Sequence, residues 1–445
     1  MSDHASKPKP RRSPNRAPTR RGSLLAVLGP GVLVAATGVG AGDLAGAGLA
    51  GSNVGLLICW AAVVGAAAKY VLTENLARHQ LGSGATVIQS AVTRLGWPLV
   101  VPFAVYFLLW SYYVGGALLK ANAAVIGALL ATLFGDGVHD WLRSDVTLMA
   151  AASAAAAVLA SRGGFRLFER VMAGCIAVMV LVVVVAAVLS KPPLGELAAG
   201  LLIPRVPLGD ADQLRWTIAL IGGVGGTLTI LCYAYWMREA GRTAPNQLRA
   251  CRLDLGLGYA MTALFAVSMV VIAAPLDPEG RGSRFVVNLA DALHAAFAAD
   301  YSPVLADTMR LAFLLGAFGA VFSSLLGVWQ AVPYVAADLW NMRRSVGRPA
   351  HHPAPPSTRS TPYRLYLVAL AVVPLASVRV EFAAVQQLYG IVGALFVPGL
   401  ALVLLLLNNR ADLLAREHRN GWASNTVLAA ALAVAALAAG FAIVV

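Results

Sequence analysis

From residue 22 to residue 68 the chain carries a single charge, the carboxylate of Asp43. These 47 residues are more than twice the roughly 20 apolar residues that cross a bilayer. The segment must therefore turn back within a membrane, and its surroundings must account for an acid there. Such an acid costs about 2.5–3.5 kcal/mol on insertion scales and normally serves a cavity or an ion path. Around it the chain reads Gly38-Val39-Gly40-Ala41-Gly42-Asp43-Leu44-Ala45-Gly46. Each glycine weakens a helix by about 1 kcal/mol relative to alanine. The pattern describes a loosened membrane helix with one buried carboxylate. The plainer alternative is an acid that pairs with a polar group on a neighbouring helix.

Composition extends this reading to the whole chain. It is 59% hydrophobic and 12% charged, with a mean hydropathy of +0.73. Soluble domains lie near 45–50% apolar and about 25% charged, so a polytopic membrane protein is expected, with the lipid bilayer as its surroundings. Residues 1–23 form a basic tail with Lys7, Lys9, Arg11, Arg12, Arg16, Arg20 and Arg21. That tail is too long and too basic for a signal peptide and reads as a disordered cytoplasmic arm. The four cysteines (Cys59, Cys175, Cys232, Cys251) form no metal or redox spacing and read as small hydrophobes.

Eleven apolar runs are long enough, or nearly so, to span: 24–50, 53–73, 98–131, 146–161, 171–190, 216–237, 255–275, 308–337, 365–379, 382–407 and 423–445. Runs four and nine are short. With the N-terminus in the cytoplasm, 25 of the 34 Lys and Arg residues fall on the inner side. This is the asymmetry that orients membrane proteins, and it places the C-terminus outside. It also accounts for the net charge of +13 without a nucleic acid. His351 and His352, in a Pro- and Arg-rich loop, read as solvated rather than metal-binding.

Run one carries the glycines before Asp43. Run six carries Gly222-Gly223-Val224-Gly225-Gly226-Thr227-Leu228-Thr229. Each opens a unit of five spans, about 24–190 and 216–407, and an odd number of spans inverts the second unit. Matching Gly-interrupted segments in inverted repeats mark a binding site at mid-membrane. Helix breaks free backbone groups that must meet an ion, a substrate or protein. Free carbonyls with one carboxylate favour a cation. Close packing of small residues is the alternative, and Gly46 and Gly48 are the glycines best suited to it.

Several stretches resemble the natural resistance-associated macrophage protein family of divalent metal transporters. They are Gly29-Pro30-Gly31, Leu76-Ala77-Arg78-His79-Gln80-Leu81-Gly82 with Gly84-Ala85-Thr86, Ser323-Ser324, and Leu395-Phe396-Val397-Pro398. The resemblance runs to about Arg410. It implies an all-α LeuT-type fold: a 5+5 inverted repeat with helices one and six broken, and an eleventh helix at 423–445. The chain departs from the family's Asp-Pro-Gly-Asn break, where Gly40 stands at the Asp position and Asp43 at the Asn position. It also lacks the Met-Pro-His triplet of span six, having Gly226-Thr227-Leu228-Thr229-Ile230 there.

The expected site therefore comprises the Asp43 carboxylate, carbonyls near Gly40 and Gly225, and the Thr227 hydroxyl. Gln386 or Gln387 is added by analogy with a family glutamine. Oxygen donors of this kind suit Mg²⁺ or Mn²⁺, whereas thioether sulfur suits softer metals. Cys232 would be the one nearby sulfur. The resemblance implies a histidine in inner span six and acids along span three for protons; neither is present. Glu74, Tyr233 and Tyr235 are left as proton or gating candidates, with an interface charge and interfacial packing as their alternatives. Lys69 and Glu74 are expected at the cytoplasmic end of span two. The leading expectation is a secondary transporter of Mn²⁺, Fe²⁺ or Mg²⁺ in the cytoplasmic membrane, with no cofactor. An organic-cation or amino-acid symporter of the same fold is the alternative. An intramembrane enzyme or receptor is disfavoured, because no run holds a nucleophile with its base.

Overall fold

The computed structural model describes residues 29–444 except 138, 163, 208, 276–284, 346–355, 382, 383, 386, 387, 390, 391 and 394. The basic tail and the tandem histidines lie outside the described residues. Within them all regular structure is helical. Every apolar run overlaps a helix among the described residues, the run 382–407 in its second half. Span one is two half-helices, Pro30–Gly38 and Ala41–Val54, bent by 53° at their junction. Spans two to five are Cys59–Ser83, Trp97–Phe134, Asp145–Arg162 and Gly164–Leu189. Span six is Ala211–Gly223 followed, after an interruption, by a 3-10 turn Leu228–Leu231 and the helix Cys232–Glu239. Spans seven and eight are Leu248–Ala273 and Pro303–Ser345. Span nine is Thr361–Val372, tightened to 3-10 geometry over Val373–Arg379. The described part of span ten is Phe396–Asn408, and span eleven is Trp422–Val444.

Spans one and seven approach each other backbone to backbone. A Cβ on Gly51 would lie 2.7 Å from the Val270 carbonyl, and Gly31 and Gly258 face one another with no room for a side chain. The glycines of span one thus serve packing as well as the break, Gly51 more clearly than Gly46, whose surroundings are open. Shorter helices, among them Val87–Arg94, Leu194–Leu202 and Phe285–Asp300, lie outside the apolar runs.

Charged contacts collect at two opposite faces. On one, Glu74 meets Arg78 and Arg252, Arg94 meets Asp412, and Arg78 donates to the Arg419 carbonyl. On the other, Arg310 meets Asp291 and Thr132, and Lys191 meets Asp300. The loops assigned to one side by their basic residues are therefore neighbours in space.

Lys69 is the exception. Span two runs ten residues beyond its hydrophobic limit, through the buried polar residues Thr73, Asn75 and His79 to Ser83. Lys69 consequently lies in the middle of the span, not at its cytoplasmic end. Bonds to neighbouring helices satisfy the polar groups of this extension: His79 meets Asn408 and Ser90, both at 2.8 Å.

Candidate functional site

The two interruptions touch. A Cβ on Gly38 would come within 2.8 Å of the Gly225 carbonyl carbon and 3.0 Å of the Gly226 amide. Only glycines let the breaks of spans one and six meet main chain to main chain. Gly225 and Gly226 also have φ of +83° and +84°, the left-handed region that other residues enter at a cost. Gly38, Gly225 and Gly226 are thereby explained at particular atoms, whereas a Cβ at Gly222 or Gly223 would meet open space.

In span one the broken turn frees the carbonyls of Ala36 and Thr37. Ser323 donates to Ala36 at 3.0 Å, and Ser324 donates to Thr37 at 2.9 Å. Gly40 caps the second half-helix, and its carbonyl accepts the Leu44 amide at 2.9 Å. A side chain at Gly40 would collide with Ser324, so a carboxylate has no room at that position. It stands one turn later instead. Asp43 is 2% exposed, in the first turn of the second half-helix, where the dipole favours an anion. Its Oδ2 accepts the Gly225 amide at 3.1 Å. Its Oδ1 is buried and has no hydrogen-bond partner among the described residues.

In span six the freed carbonyls are those of Gly222, Val224 and Gly226, and Lys69 takes all three. Its Nζ donates to Gly222 at 3.0 Å, to Val224 at 3.2 Å and to Gly226. Lys69 is 1% exposed. Its charge sits at the C-terminal end of the half-helix Ala211–Gly223, where the dipole favours a cation. Each buried charge is thus met by a helix end, and the two attract one another across the glycine segment.

Thr227 is brought to the same place, but its hydroxyl accepts the Trp110 indole N–H at 3.0 Å and meets Tyr389 of span ten. Gln386 and Gln387 lie outside the described residues. Gly393, one turn beyond Tyr389, abuts Thr227. Cys232 is a buried free thiol opening the second half of span six. No group of three or more His, Cys, Asp or Glu side chains is arranged to hold a metal ion among the described residues. Among the described residues, Asp43 Oδ1 is an anionic oxygen at the breaks with no hydrogen-bond partner.

Beyond the breaks the elements are tied by two further buried acids, Asp254 and Asp338. Asp338 of span eight accepts from Thr86 and Gln89, both at 2.7 Å, and from the Tyr235 hydroxyl at 2.9 Å. Tyr235 also stacks on Tyr334, at 5.4 Å between centroids. Asp254 of span seven accepts the Gly29 and Gly31 amides at 3.1 and 2.7 Å, capping the first half-helix, and pairs with Arg242 at 2.6 Å. Tyr233 is fully buried. Glu74 is held between Arg78 at 3.0 Å and Arg252 at 2.8 Å. Of the proton and gating candidates, Tyr235 and Glu74 thus join hydrogen-bond and ion-pair networks.

Lys69, Asp254 and Asp338 were not among the expected site residues. The signal for the two acids was available: each is a lone carboxylate beside or within an apolar run, as Asp43 is. The serines appeared only as features of a resemblance.

The sequence model of the natural resistance-associated macrophage protein-like family matches residues 31–444. The divalent metal cation transporter MntH of Chromohalobacter salexigens is 26% identical over 345 residues, covering 74% of this chain and 75% of that protein. The Eremococcus coleocola manganese transporter in complex with an aromatic bis-isothiourea substituted compound superposes with a TM-score of 0.67. It is 18% identical over 92% of this chain and 84% of that one. MhsT in complex with L-phenylalanine superposes at 0.53 with 15% identity, over 92% and 98%. The two structural likenesses establish a shared fold.

Proposed function

The chain belongs to the natural resistance-associated macrophage protein-like family, and from that premise we propose that it is a secondary transporter of divalent metal cations. The observation that carries the proposal is the Asp43 carboxylate. It is buried where the two broken helices touch, and one of its oxygens has no donor among the described residues. A buried acceptor without a partner calls for a ligand that supplies positive charge. The cargo would meet Asp43 first, with oxygens near Gly40 and Gly225, the Thr227 hydroxyl and the Gln386 amide as further ligands. These are hard donors, and Mn²⁺ or Mg²⁺ fits them better than a soft metal.

The fold is a multi-pass LeuT-type bundle, and the movement we infer is alternating access between the repeats about 24–190 and 216–407. The Tyr235–Asp338 and Asp254–Gly31 ties would hold the inner side shut and must release for the cargo to leave. The protein would lie in the cytoplasmic membrane with its N-terminus inside and its C-terminus outside. Transport measured with purified protein in liposomes, over Mn²⁺, Fe²⁺, Mg²⁺ and Cd²⁺ with and without a proton gradient, tests the reading. Uptake of at least one divalent ion, lost in Asp43→Asn, is expected. No uptake of any metal, with accumulation of an amino acid or organic amine instead, would transfer the site to the other symporter class.

A further inference from the structure

We propose that Lys69 is a built-in cation: its ammonium fills a monovalent-cation site formed by the Gly222, Val224 and Gly226 carbonyls, so that the protein needs no soluble ion there. The site is built in every respect that matters for a cation. Three main-chain carbonyls converge from a stretch that cannot continue as a helix. They stand at the negative end of the half-helix Ala211–Gly223. In transporters with interrupted helices, such unwound carbonyls and half-helix C-terminal ends are what coordinate a coupling ion. Here the occupant arrives covalently, on a side chain from span two.

The stoichiometry supports a charged occupant. An ammonium has three N–H donors and no acceptor, and Nζ has three acceptors, one per donor. The stem is positioned too: Lys69 Cγ lies where a Gly225 Cβ would touch it, at 3.6 Å, beside the Tyr259 ring. Tyr259 in turn is fixed by a 2.6 Å bond to Thr73, one turn along span two. Asp43 completes the arrangement from the other side of the same segment, taking the Gly225 amide while Lys69 takes the flanking carbonyls. The local conformation of residues 222–226 therefore depends on a positive charge at this point.

Removing the amine while keeping the stem should convert a tethered cation into a demand for a free one. The test is thermal unfolding of purified wild type and Lys69→Met, without divalent metal, in NaCl, KCl or choline chloride at equal ionic strength. Wild type should melt at one temperature in all three salts. Lys69→Met should melt lower in choline and recover, saturably, with Na⁺ or K⁺, whose bare ions fit between carbonyls where choline does not. A variant indifferent to the choice of salt, or a wild type that gains stability from Na⁺ or K⁺ over choline, would overturn the proposal. Should Lys69→Met be too unstable to melt, the readout becomes the yield of monodisperse protein after extraction in each salt. Recovery in NaCl or KCl alone supports the built-in cation, and failure in all three defeats it. No step of this test requires transport, so it stands or falls separately from the assignment of cargo.

Discussion

Asp43 and Lys69 are each compensated by a helix end and by the main chain of one glycine segment, not by direct contact with each other. The carboxylate accepts one amide, and its other oxygen has no hydrogen-bond partner among the described residues. Neutralising it in Asp43→Asn should therefore weaken metal binding tenfold or more, on the order of 1.4 kcal/mol, with protein yield near normal. Calorimetric titration with Mn²⁺ checks this, and undiminished affinity would make the carboxylate structural. Selectivity follows from the missing thioether: Mn²⁺ uptake should be inhibited by millimolar-range Mg²⁺, and Cd²⁺ should bind no better than Mn²⁺. Thr227→Met, which puts sulfur where Trp110 now donates to a hydroxyl, should shift preference towards Cd²⁺ in the same titration. Strong Cd²⁺ binding by wild type that Cys232→Ala abolishes would show that the thiol reaches the ion. At this scale the sequence was readable where a residue stood alone. Asp43 interrupts a charge-free stretch and announces itself. Lys69 closes that stretch, so hydropathy treats it as the end of a span. Only the continuation of the helix through buried Thr73, Asn75 and His79 reveals that it is not.

The elements follow the same division. The long apolar helices were visible because bilayer thickness fixes their length and apolar content; among the described residues eight are long enough to cross, or nine with the bent pair of span one. The interruptions in spans one and six were visible because glycine clusters have few other uses inside a membrane helix. What filled the freed carbonyls was not visible. Ser323, Ser324 and Lys69 come from spans eight and two, and no local pattern joins residues 287 positions apart. The inner closure is a product of the same long-range assembly. Asp338 is held by three donors from two elements, one of them Tyr235. Tyr235→Phe removes a hydrogen bond worth about 1.5 kcal/mol or more if the acceptor is charged, which should raise the inner-open population about tenfold. Cys232 lies three residues away and is buried. With the other three cysteines replaced by alanine, its alkylation by N-ethylmaleimide should accelerate by a similar factor. An unchanged rate would mean that this tie does not hold the inner side shut.

For the molecule as a whole, the two charged faces fix which loops are neighbours, and the excess of basic residues on one of them sets the expected orientation. A cysteine replacing Ser2 should resist an impermeant thiol reagent in intact cells, and one added after Val445 should react. Equal labelling of both would take one span out of the count. The pairing of Asp43 with Lys69 has an electrical consequence at this scale. In the cycle proposed above, with both groups charged, the unloaded centre would hold one negative and one positive group, so the membrane voltage would have almost no grip on the resetting half. A divalent cargo adds two charges to that neutral centre. Voltage does about 2.3 kcal/mol of work on each elementary charge carried through roughly 100 mV, so an inside-negative potential would drive the loaded step inward and leave the empty return untouched.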